Sequence, residues 1–195
     1  MSETVHQFMV RQNSYFYKNF ELKSLLNGQQ IGLTVKRLTN QVLENNPGLH
    51  NTVLIGIQPR GIFLSERIVR ELSGELEAKN IQYGKLDITF YRDDLGKELH
   101  LPNQTDIRFS IEGRKVVLID DVLYTGRTIR AALDALMDFG RPEKVELMVL
   151  IDRRYSRQLP IQPDYTGRSI DSIVTQKVKV LWQERDGHDE VVLID

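Results

Sequence analysis

The chain has 195 residues, of which 41% are hydrophobic and 27% charged, and its formal net charge is −1 at pH 7. That length and composition are typical of one soluble α/β domain, whereas a dedicated nucleic-acid-binding protein is usually basic. The lack of cysteine excludes disulfides, thiolate metal sites and a cysteine nucleophile. No apolar run approaches the roughly 18 residues of a membrane span, and the N-terminus is unlike a secretory leader. We therefore expect a cytoplasmic protein without a membrane partner.

Two regions are expected, an N-terminal arm over residues 1–26 and a single domain over residues 27–195. Residues 5–26 mix aromatic and charged side chains, and no linker rich in proline, glycine or serine divides the remainder. The arm is expected to pack on the body or on a partner subunit, or else to form a short local helix or strand. The histidines show no metal-ligand spacing: His6, His50, His100 and His188.

In chain order, the hydrophobic pattern predicts helices that alternate with buried strands. A first helix begins at Gly28 and stops at residues 45–48, a second begins at Gly61 with Ile62, Ile68, Val69 and Leu72 facing inward, and a third covers residues 128–139. Strands are predicted at residues 52–57, 85–91, 115–119 and 145–151, with two more at a sheet edge, 178–182 and 191–194. The polar residues 92–109 predict a long mobile loop. This alternation implies right-handed βαβ units and a mostly parallel sheet flanked by helices.

The most informative stretch is residues 116–128, with the sequence VVLIDDVLYTGRT. Its apolar start predicts a strand buried on both faces, and Asp120 and Asp121 come where that strand should emerge. In open α/β sheets, ligands bind outside the carboxyl ends of the strands. Residues 125–128 offer hydroxyls and backbone N–H groups at a helix N-terminus, which suits an anion, and carboxylates suit sugar hydroxyls or a hydrated magnesium ion. The stretch therefore predicts a site for a sugar diol, a phosphate and a metal.

This stretch resembles the phosphoribosyl pyrophosphate (PRPP) motif of type I phosphoribosyltransferases. The motif region to residue 142, together with GIQPRGI at 56–62, YRDDL at 91–95 and LPI at 159–161, resembles the PyrR family more closely. That family combines an mRNA-binding attenuator of pyrimidine operons with a uracil phosphoribosyltransferase. The resemblance implies the type I phosphoribosyltransferase fold, with a mostly parallel central sheet flanked by helices and a small hood region.

The resemblance also assigns roles to individual residues. Asp120 and Asp121 hold the ribose 2′ and 3′ hydroxyls, with Mg²⁺ as the cofactor, bound indirectly through these hydroxyls or water; the alternative is a pair of solvated acids. The 5′-phosphate lies on Thr125, Gly126, Arg127 and Thr128, although a threonine here can also be a plain helix cap. Pyrophosphate binds to Pro59, Arg60 and Gly61, where a strained or cis peptide is expected around Pro59 and Arg60. Arg92 and Lys97 belong to a flexible loop that covers PRPP. The residues expected to be catalytic are Asp120, Asp121, Arg60 and Arg92.

Tyr124 stands where purine phosphoribosyltransferases often carry an acid that meets the purine N7. Because tyrosine cannot act as that carboxylate and uracil has no N7, Tyr124 favours a pyrimidine; alternatively it only packs the loop. Ile161 belongs to a region that supplies the hood over the base, where uracil is read mainly by backbone groups. Asp152 has two possible roles, in a second magnesium site or in a turn.

For RNA binding, the resemblance indicates basic residues on the first helix and around the hood: Lys36, Arg37, Arg157 and Arg168. The family often carries histidine or a basic residue where this chain has Asn40, Ser156 and Gln162. Each lost phosphate contact weakens RNA binding and lowers its salt slope by about one. The alternative is that the remaining basic residues are a solvated face.

The sequence thus predicts a uracil phosphoribosyltransferase that converts uracil and PRPP to UMP and pyrophosphate, with possible regulation of pyrimidine genes through pyrimidine-operon mRNA. The first alternative is mainly an RNA-binding attenuator that uses the pocket to sense UMP or PRPP. The second is a transferase for another base, such as a purine or orotate. A homo-oligomer, dimer or tetramer, is expected from the resemblance.

Overall fold

The computed structural model describes residues 22–76, 81–92 and 103–195. The helices are α1 Gly28–Asn45, α2 Gly61–Glu75, α3 Arg127–Leu136 and α4 Gln183–Asp186. The strands are β1 Leu22–Asn27, β2 Thr52–Ile57, β3 Gln82–Leu86, β4 Lys115–Leu123, β5 Lys144–Arg154, β6 Tyr165–Asp171, β7 Lys177–Leu181 and β8 Glu190–Ile194. Most of the predicted arm and much of the predicted mobile loop, with Lys97 and residues 93–95 of the YRDDL match, lie outside these residues.

The central sheet is parallel throughout and has the order β3-β2-β4-β5-β6. Successive side chains of a strand point to opposite faces, so Leu54 and Val117 join one core cluster with α1 and α2. Ile55 and Val116 point the other way and join a second cluster with α3. Both faces are therefore covered, which explains why β2 and β4 are nearly continuous apolar runs. The predicted parallel α/β architecture is confirmed.

The strands predicted at residues 178–182 and 191–194 exist, but their placement at an edge of the main sheet was wrong. They are β7 and β8 of a separate antiparallel sheet with the order β1-β8-β7, called the small sheet below. Its first strand, β1, begins at Leu22 and so includes the last residues of the predicted arm. β1 and β6 were both missed, because neither has a clean alternation of buried and exposed residues.

The strand predicted at residues 85–91 is also corrected. β3 covers Gln82–Leu86, and Thr89–Tyr91 form a 3₁₀ turn. The carboxylate of Asp87 accepts hydrogen bonds from the backbone N–H of Thr89 at 3.2 Å and from its hydroxyl at 2.7 Å. Such a local side-chain turn ends a strand. The strand was predicted from the alternating apolar residues Leu86, Ile88 and Phe90, and Phe90 is 82% exposed.

The predicted helices form close to their expected bounds. α1 begins at a capping box in which Asn27 and Gln30 each bond the other's backbone N–H at 2.9 Å. The apolar residues at helical spacing are buried: Ile31, Val35, Leu38 and Val42. In α2, Ile68 and Leu72 are buried as predicted, whereas Ile62 and Val69 are only half-buried. α3 continues into a 3₁₀ turn that ends at Phe139, as predicted. No described helix is long and apolar enough to cross a membrane.

A cluster around Trp182 fastens the small sheet to α2. The guanidinium of Arg67 lies 4.7 Å above the Trp182 ring and makes two hydrogen bonds of 2.8 Å to the Asp189 carboxylate. A further hydrogen bond of 2.8 Å joins Arg67 to Glu184, and Phe63 packs on the same indole. Because α2 begins directly after the turn that carries Pro59 and Arg60, this cluster holds the small sheet beside that turn.

Candidate active site

Two adjacent carboxylates lie in the last part of β4. Asp120 and Asp121 are each 7% exposed, and the Asp121 backbone N–H donates to Asp120 Oδ1 at 2.9 Å. The strand continues past them to Leu123, so the acids lie inside β4 rather than beyond its end. They face the carboxyl-terminal edge of the sheet, where ligands bind in open α/β folds.

The two acids are held in an unfavourable electrostatic environment. Burial raises the pKa of Asp120 well above its usual range, and the neighbouring charge of Asp121 raises it further. Burial also raises the pKa of Asp121, although the charge of Arg60 opposes that shift. A ligand that donates hydrogen bonds to these carboxylates, or brings positive charge near them, would relieve this strain on the ionised forms.

Arg60 joins the Pro-Arg-Gly turn to the acids and to the small sheet. Its Nε donates to Asp121 Oδ2 at 3.1 Å, and its guanidinium donates to the Val180 carbonyl and lies 3.7 Å from Asp186. The cis peptide is the one between Gln58 and Pro59, one bond before the expected place. A Cβ on Gly61 would come within 2.5 Å of the Ile119 carbonyl oxygen, so only glycine allows α2 to begin this close to β4.

The segment from Thr125 to Thr128 forms the N-terminus of α3. Gly126 caps the helix with a left-handed φ of 93°, and no side chain caps the helix N-terminus. The backbone N–H of Arg127 donates to the Thr125 hydroxyl at 3.4 Å, while the Arg127 guanidinium donates to Gln158 at 2.8 Å. The N–H groups of a helix N-terminus suit an anion.

Arg92 and Ile161 are brought to the same place from distant parts of the chain. The Arg92 guanidinium lies 3.5 Å from the Thr128 hydroxyl, and its charge lowers the pKa of Asp120, although burial outweighs it. Ile161 lies beside Gly126, where a Cβ would come within 3.1 Å of its side chain. The residues predicted for the diol, phosphate and pyrophosphate sites therefore lie together at one edge of the sheet.

The loop after β5 is fixed to the motif by backbone hydrogen bonds. The N–H groups of Gln158 and Leu159 donate to the Thr125 carbonyl at 3.0 and 3.2 Å. Arg157 donates to the Tyr124 carbonyl and to the Asp152 carboxylate. The expected turn position of Asp152 was wrong, because the residue lies inside β5, where its carboxylate pairs with Arg157.

The residues predicted to bind RNA have varied surroundings. Lys36 is exposed on α1. The Arg37 guanidinium donates to the Thr166 carbonyl at 3.3 Å and to the Gly167 carbonyl at 2.5 Å, and Arg168 donates to the Leu25 carbonyl at 2.6 Å. Arg37 and Arg168 thus also connect β6 to α1 and β1.

The donor set fits magnesium only with help from a ligand. Among residues 22–76, 81–92 and 103–195, no group of three or more His, Asp or Glu side chains could hold a metal ion. Mg²⁺ keeps several waters and is commonly held by one or two carboxylates plus substrate phosphates. The pair Asp120 and Asp121 is compatible with that mode of binding.

Comparison with known proteins agrees with this geometry. The model of the phosphoribosyl transferase domain family matches residues 21–185. A hypoxanthine phosphoribosyltransferase from Staphylococcus aureus superposes with a TM-score of 0.61 at 22% identity, over 76% of this chain and 77% of that one. A hypoxanthine-guanine phosphoribosyltransferase from Bacillus anthracis gives 0.68 at 16% identity, over 91% and 99%. At such identities the likeness shows the fold, and the family match shows that the chain is a phosphoribosyltransferase.

Sequence relatives identify the branch of that class. Proteins called bifunctional protein PyrR are 47% identical over 171 residues in a Picosynechococcus species, covering 87% of this chain and 96% of the relative. The Bacillus cereus protein of this name is 45% identical over 175 residues, covering 88% of this chain and 96% of the relative. The Deinococcus radiodurans protein is 46% identical over 174 residues, covering 88% of this chain and 94% of the relative. The chain therefore belongs to the PyrR family.

Sequence reasoning missed the arginine that contacts the motif tyrosine. Arg153, in β5, is 4% exposed and stacks on Tyr124, with its Cζ atom 3.9 Å from the ring centroid. The available signal was its place in the sequence, since Arg153 comes shortly after the apolar residues 147–151, with only Asp152 between them. Its neighbour Arg154 gives the same signal and is exposed, so the sequence does not distinguish the two.

Proposed function

We propose that the chain transfers the phosphoribosyl group of PRPP to uracil, forming UMP and pyrophosphate. The observation that carries the proposal is the buried acid pair of β4, which lies between the Pro-Arg-Gly turn and the N-terminus of α3. The acid pair suits a diol, the Pro-Arg-Gly turn suits a diphosphate, and the N-terminus of α3 suits a phosphate monoester. PRPP contains these three groups around a single ribose.

In this proposal, residues on all sides of the ribose bind its polar groups and so fix the position of the reacting carbon. Asp120 and Asp121 accept hydrogen bonds from the 2′ and 3′ hydroxyls, and residues 125–128 hold the 5′-phosphate. Arg60 and the backbone at Gly61 hold pyrophosphate, with Arg92 as a further cation. Uracil N1 forms a bond to C1 and gives its proton to solvent or to the departing pyrophosphate, while the C1–O bond breaks and pyrophosphate leaves with the electron pair.

The acid pair also suits the charge that develops during this reaction. As the bond to pyrophosphate breaks, C1 and the ring oxygen gain oxocarbenium character, which nearby negative charge stabilises. Asp120 and Asp121 would hold Mg²⁺ only indirectly, and the ion would supply charge neutralisation for pyrophosphate. Arg60 would have to give up some of its contact with Asp121 or the small sheet in order to meet pyrophosphate, so we expect its position to change on binding.

Uracil is favoured over purines because Tyr124 replaces the acid expected for a purine N7. The test is Mg²⁺-dependent nucleotide formation from PRPP with uracil, orotate, hypoxanthine and guanine offered separately. We expect UMP from uracil and little or no nucleotide from the other bases. Product from hypoxanthine or guanine would instead favour a purine transferase, and product from orotate would favour an orotate transferase.

A second role, control of pyrimidine genes through operon mRNA, is supported by the PyrR relatives, which are called bifunctional. The candidate RNA contacts are Lys36, Arg37, Arg157 and Arg168, with UMP or PRPP sensed in the pocket. The test is salt-dependent binding of pyrimidine-operon leader RNA with and without UMP, in the homo-oligomer that the chain is proposed to form. Affinity that is sequence-specific and raised by UMP would support this role, and equal affinity for unrelated RNA would contradict it.

A further inference from the structure

Arg153 is a buried cation to which the proposed reaction gives no task. Its neighbour Arg154 is a surface residue that pairs with Asp171 at 2.8 Å. Burial of the Arg153 guanidinium lowers its pKa, because the charged form loses hydration. A fold retains such a group only when its hydrogen bonds are satisfied, so the partners of Arg153 indicate what it does.

Those partners lie in one short segment, residues 172–176, between β6 and β7. Arg153 Nε donates to the Ser172 hydroxyl at 2.9 Å. Its Nη2 donates to the Ile173 carbonyl at 3.2 Å and to the Gln176 carbonyl at 2.8 Å. One planar guanidinium therefore fixes three points of this segment, which gives the main chain a defined shape.

The same guanidinium connects the segment to the PRPP motif. Its Cζ atom lies 3.9 Å from the ring centroid of Tyr124, a cation–π distance, and the Tyr124 hydroxyl lies 3.5 Å from the Val174 carbonyl. We call Tyr124, Arg153 and residues 172–176 the Arg153 cluster. Because Tyr124 directly precedes Thr125, the cluster is adjacent to the expected phosphate site.

The segment also offers surface for a flat ring. Ile173 and Val174 are 65% and 71% exposed, which is unusual for apolar side chains whose backbone is held so firmly. Exposed apolar side chains can cover the face of a base, while the adjoining backbone N–H and C=O groups can bond its edge. Such backbone reading requires a main chain that is already in position before the base arrives.

We infer that Arg153 is a positioning residue for the base, which holds Tyr124 and residues 172–176 in the arrangement that receives uracil. The inference rests on the proposed function and extends it to the base subsite. Arg153 acts through the segment and the tyrosine, so its loss should weaken binding of the base and leave binding of PRPP nearly unchanged.

The test compares the two adjacent arginines. Arg153→Met keeps the apolar stem and removes the hydrogen bonds, Arg153→Lys keeps the charge without the planar fork, and Arg154→Met is the matched control. The measurements are kcat, KM for uracil, KM for PRPP and the melting temperature. For Arg153→Met we expect KM for uracil to rise about 10-fold or more, which corresponds to about 1.4 kcal/mol, with KM for PRPP within about 2-fold of the unchanged chain. Arg153→Lys should be intermediate, and Arg154→Met should match the unchanged chain.

Ser172→Ala provides a second test that does not depend on the folding of the arginine variants. It removes one hydrogen-bond acceptor of Arg153. We expect KM for uracil to rise about 3-fold, since one hydrogen bond to a neutral acceptor contributes less than all the hydrogen bonds of the guanidinium together. Equal rises in both KM values, or an unchanged KM for uracil in the folded variants, would overturn the role of Arg153. If the unchanged chain and Arg154→Met form no UMP, the proposed function itself fails and this inference fails with it.

Discussion

Asp120 is a carboxyl group buried beside a second carboxyl group, and burial is the main reason why its pKa is raised. The folded state therefore retains a proton that the unfolded chain has already released, in the pH range between the ordinary value and the raised one. Stability then falls as pH rises through that range. Ionisation of the pair therefore opposes folding, while the same charge is proposed to hold the ribose diol.

Replacing Asp120 by asparagine should separate these two effects. Asp120→Asn keeps an oxygen that can accept from the Asp121 N–H and removes the buried charge. We expect a gain of about 1 kcal/mol at pH 7, or a rise in Tm of about 2–4 °C for a domain of this size, together with a flatter dependence of stability on pH. The measurement is thermal melting across the acidic to neutral range.

The control for this variant is Asp134→Asn, because Asp134 is an exposed acid on α3 whose i,i+4 pair with Arg130 contributes little. We expect it to leave Tm nearly unchanged. A lower Tm for Asp120→Asn at neutral pH, with its pH dependence retained, would show that the charge at this position does not oppose folding.

At the scale of elements, the junction between α2 and the small sheet depends on Arg67. Its contacts with Asp189, Glu184 and Trp182 join α2 to the small sheet. In the described sheets, no strand pairing connects these two parts. Burial alone would raise the pKa of Asp189, but the hydrogen bonds from Arg67 and from the Gln183 N–H lower it overall. The stability from this carboxylate is thus present above its ordinary pKa and is lost as pH falls through the lowered one.

Arg67→Ala should loosen this junction and cost about 2 kcal/mol, less than the about 3–5 kcal/mol of a fully buried pair because the partners are partly exposed. Trp182 is the chain's one tryptophan, so its fluorescence reports on this junction directly. We expect a lower midpoint of unfolding and a red-shifted emission. Arg70→Ala, on the exposed face of the same helix, is the control, and equal effects of the two variants would contradict the assigned role of Arg67.

Helices and strands could be predicted where the local sequence pattern matches the burial that the tertiary structure imposes. β2 and β4 are apolar runs because both faces of the sheet are covered, and α1 carries its capping residues in the sequence itself. β1 carries no such pattern, because it is stabilised by pairing with β8 at the far end of the chain, and β6 has no clean alternation of buried and exposed residues. The alternation of Leu86, Ile88 and Phe90 was misleading, since the local turn at Asp87 ends the strand first.

Predicted site residues lie together for a similar reason. The motif placed Asp120, Asp121 and residues 125–128 by adjacency along one strand and one helix, and the topology of a parallel sheet brings the Pro-Arg-Gly turn to the same edge. The contacts of Arg153 could not be read in this way. They depend on the path of residues 172–176, which no local pattern specifies, and Arg154 has the same sequence signal without the contacts.

For the whole molecule, the structure divides the proposed RNA residues into groups with different expected behaviour. Lys36→Ala removes an exposed cation, so we expect weaker RNA binding at all sequences, a salt slope lower by about one and an unchanged Tm. Arg37→Ala should also lower Tm, because the guanidinium holds carbonyl groups of β6. Filter binding over a range of salt concentrations, paired with thermal melts, checks both. An unchanged salt slope for Lys36→Ala would remove this residue from the RNA surface.

The central claim, that the buried acid pair serves phosphoribosyl transfer to uracil, is tested most directly by one assay. Formation of UMP from uracil and PRPP with Mg²⁺ is measured for the unchanged chain, for the double variant Asp120→Asn/Asp121→Asn, and for Asp134→Asn as the control. We predict UMP formation by the unchanged chain and the control, and a loss of at least about 100-fold in the folded double variant, the size expected for losing preorganised transition-state stabilisation. UMP formation at an undiminished rate by the double variant, or none by the unchanged chain, would contradict the account.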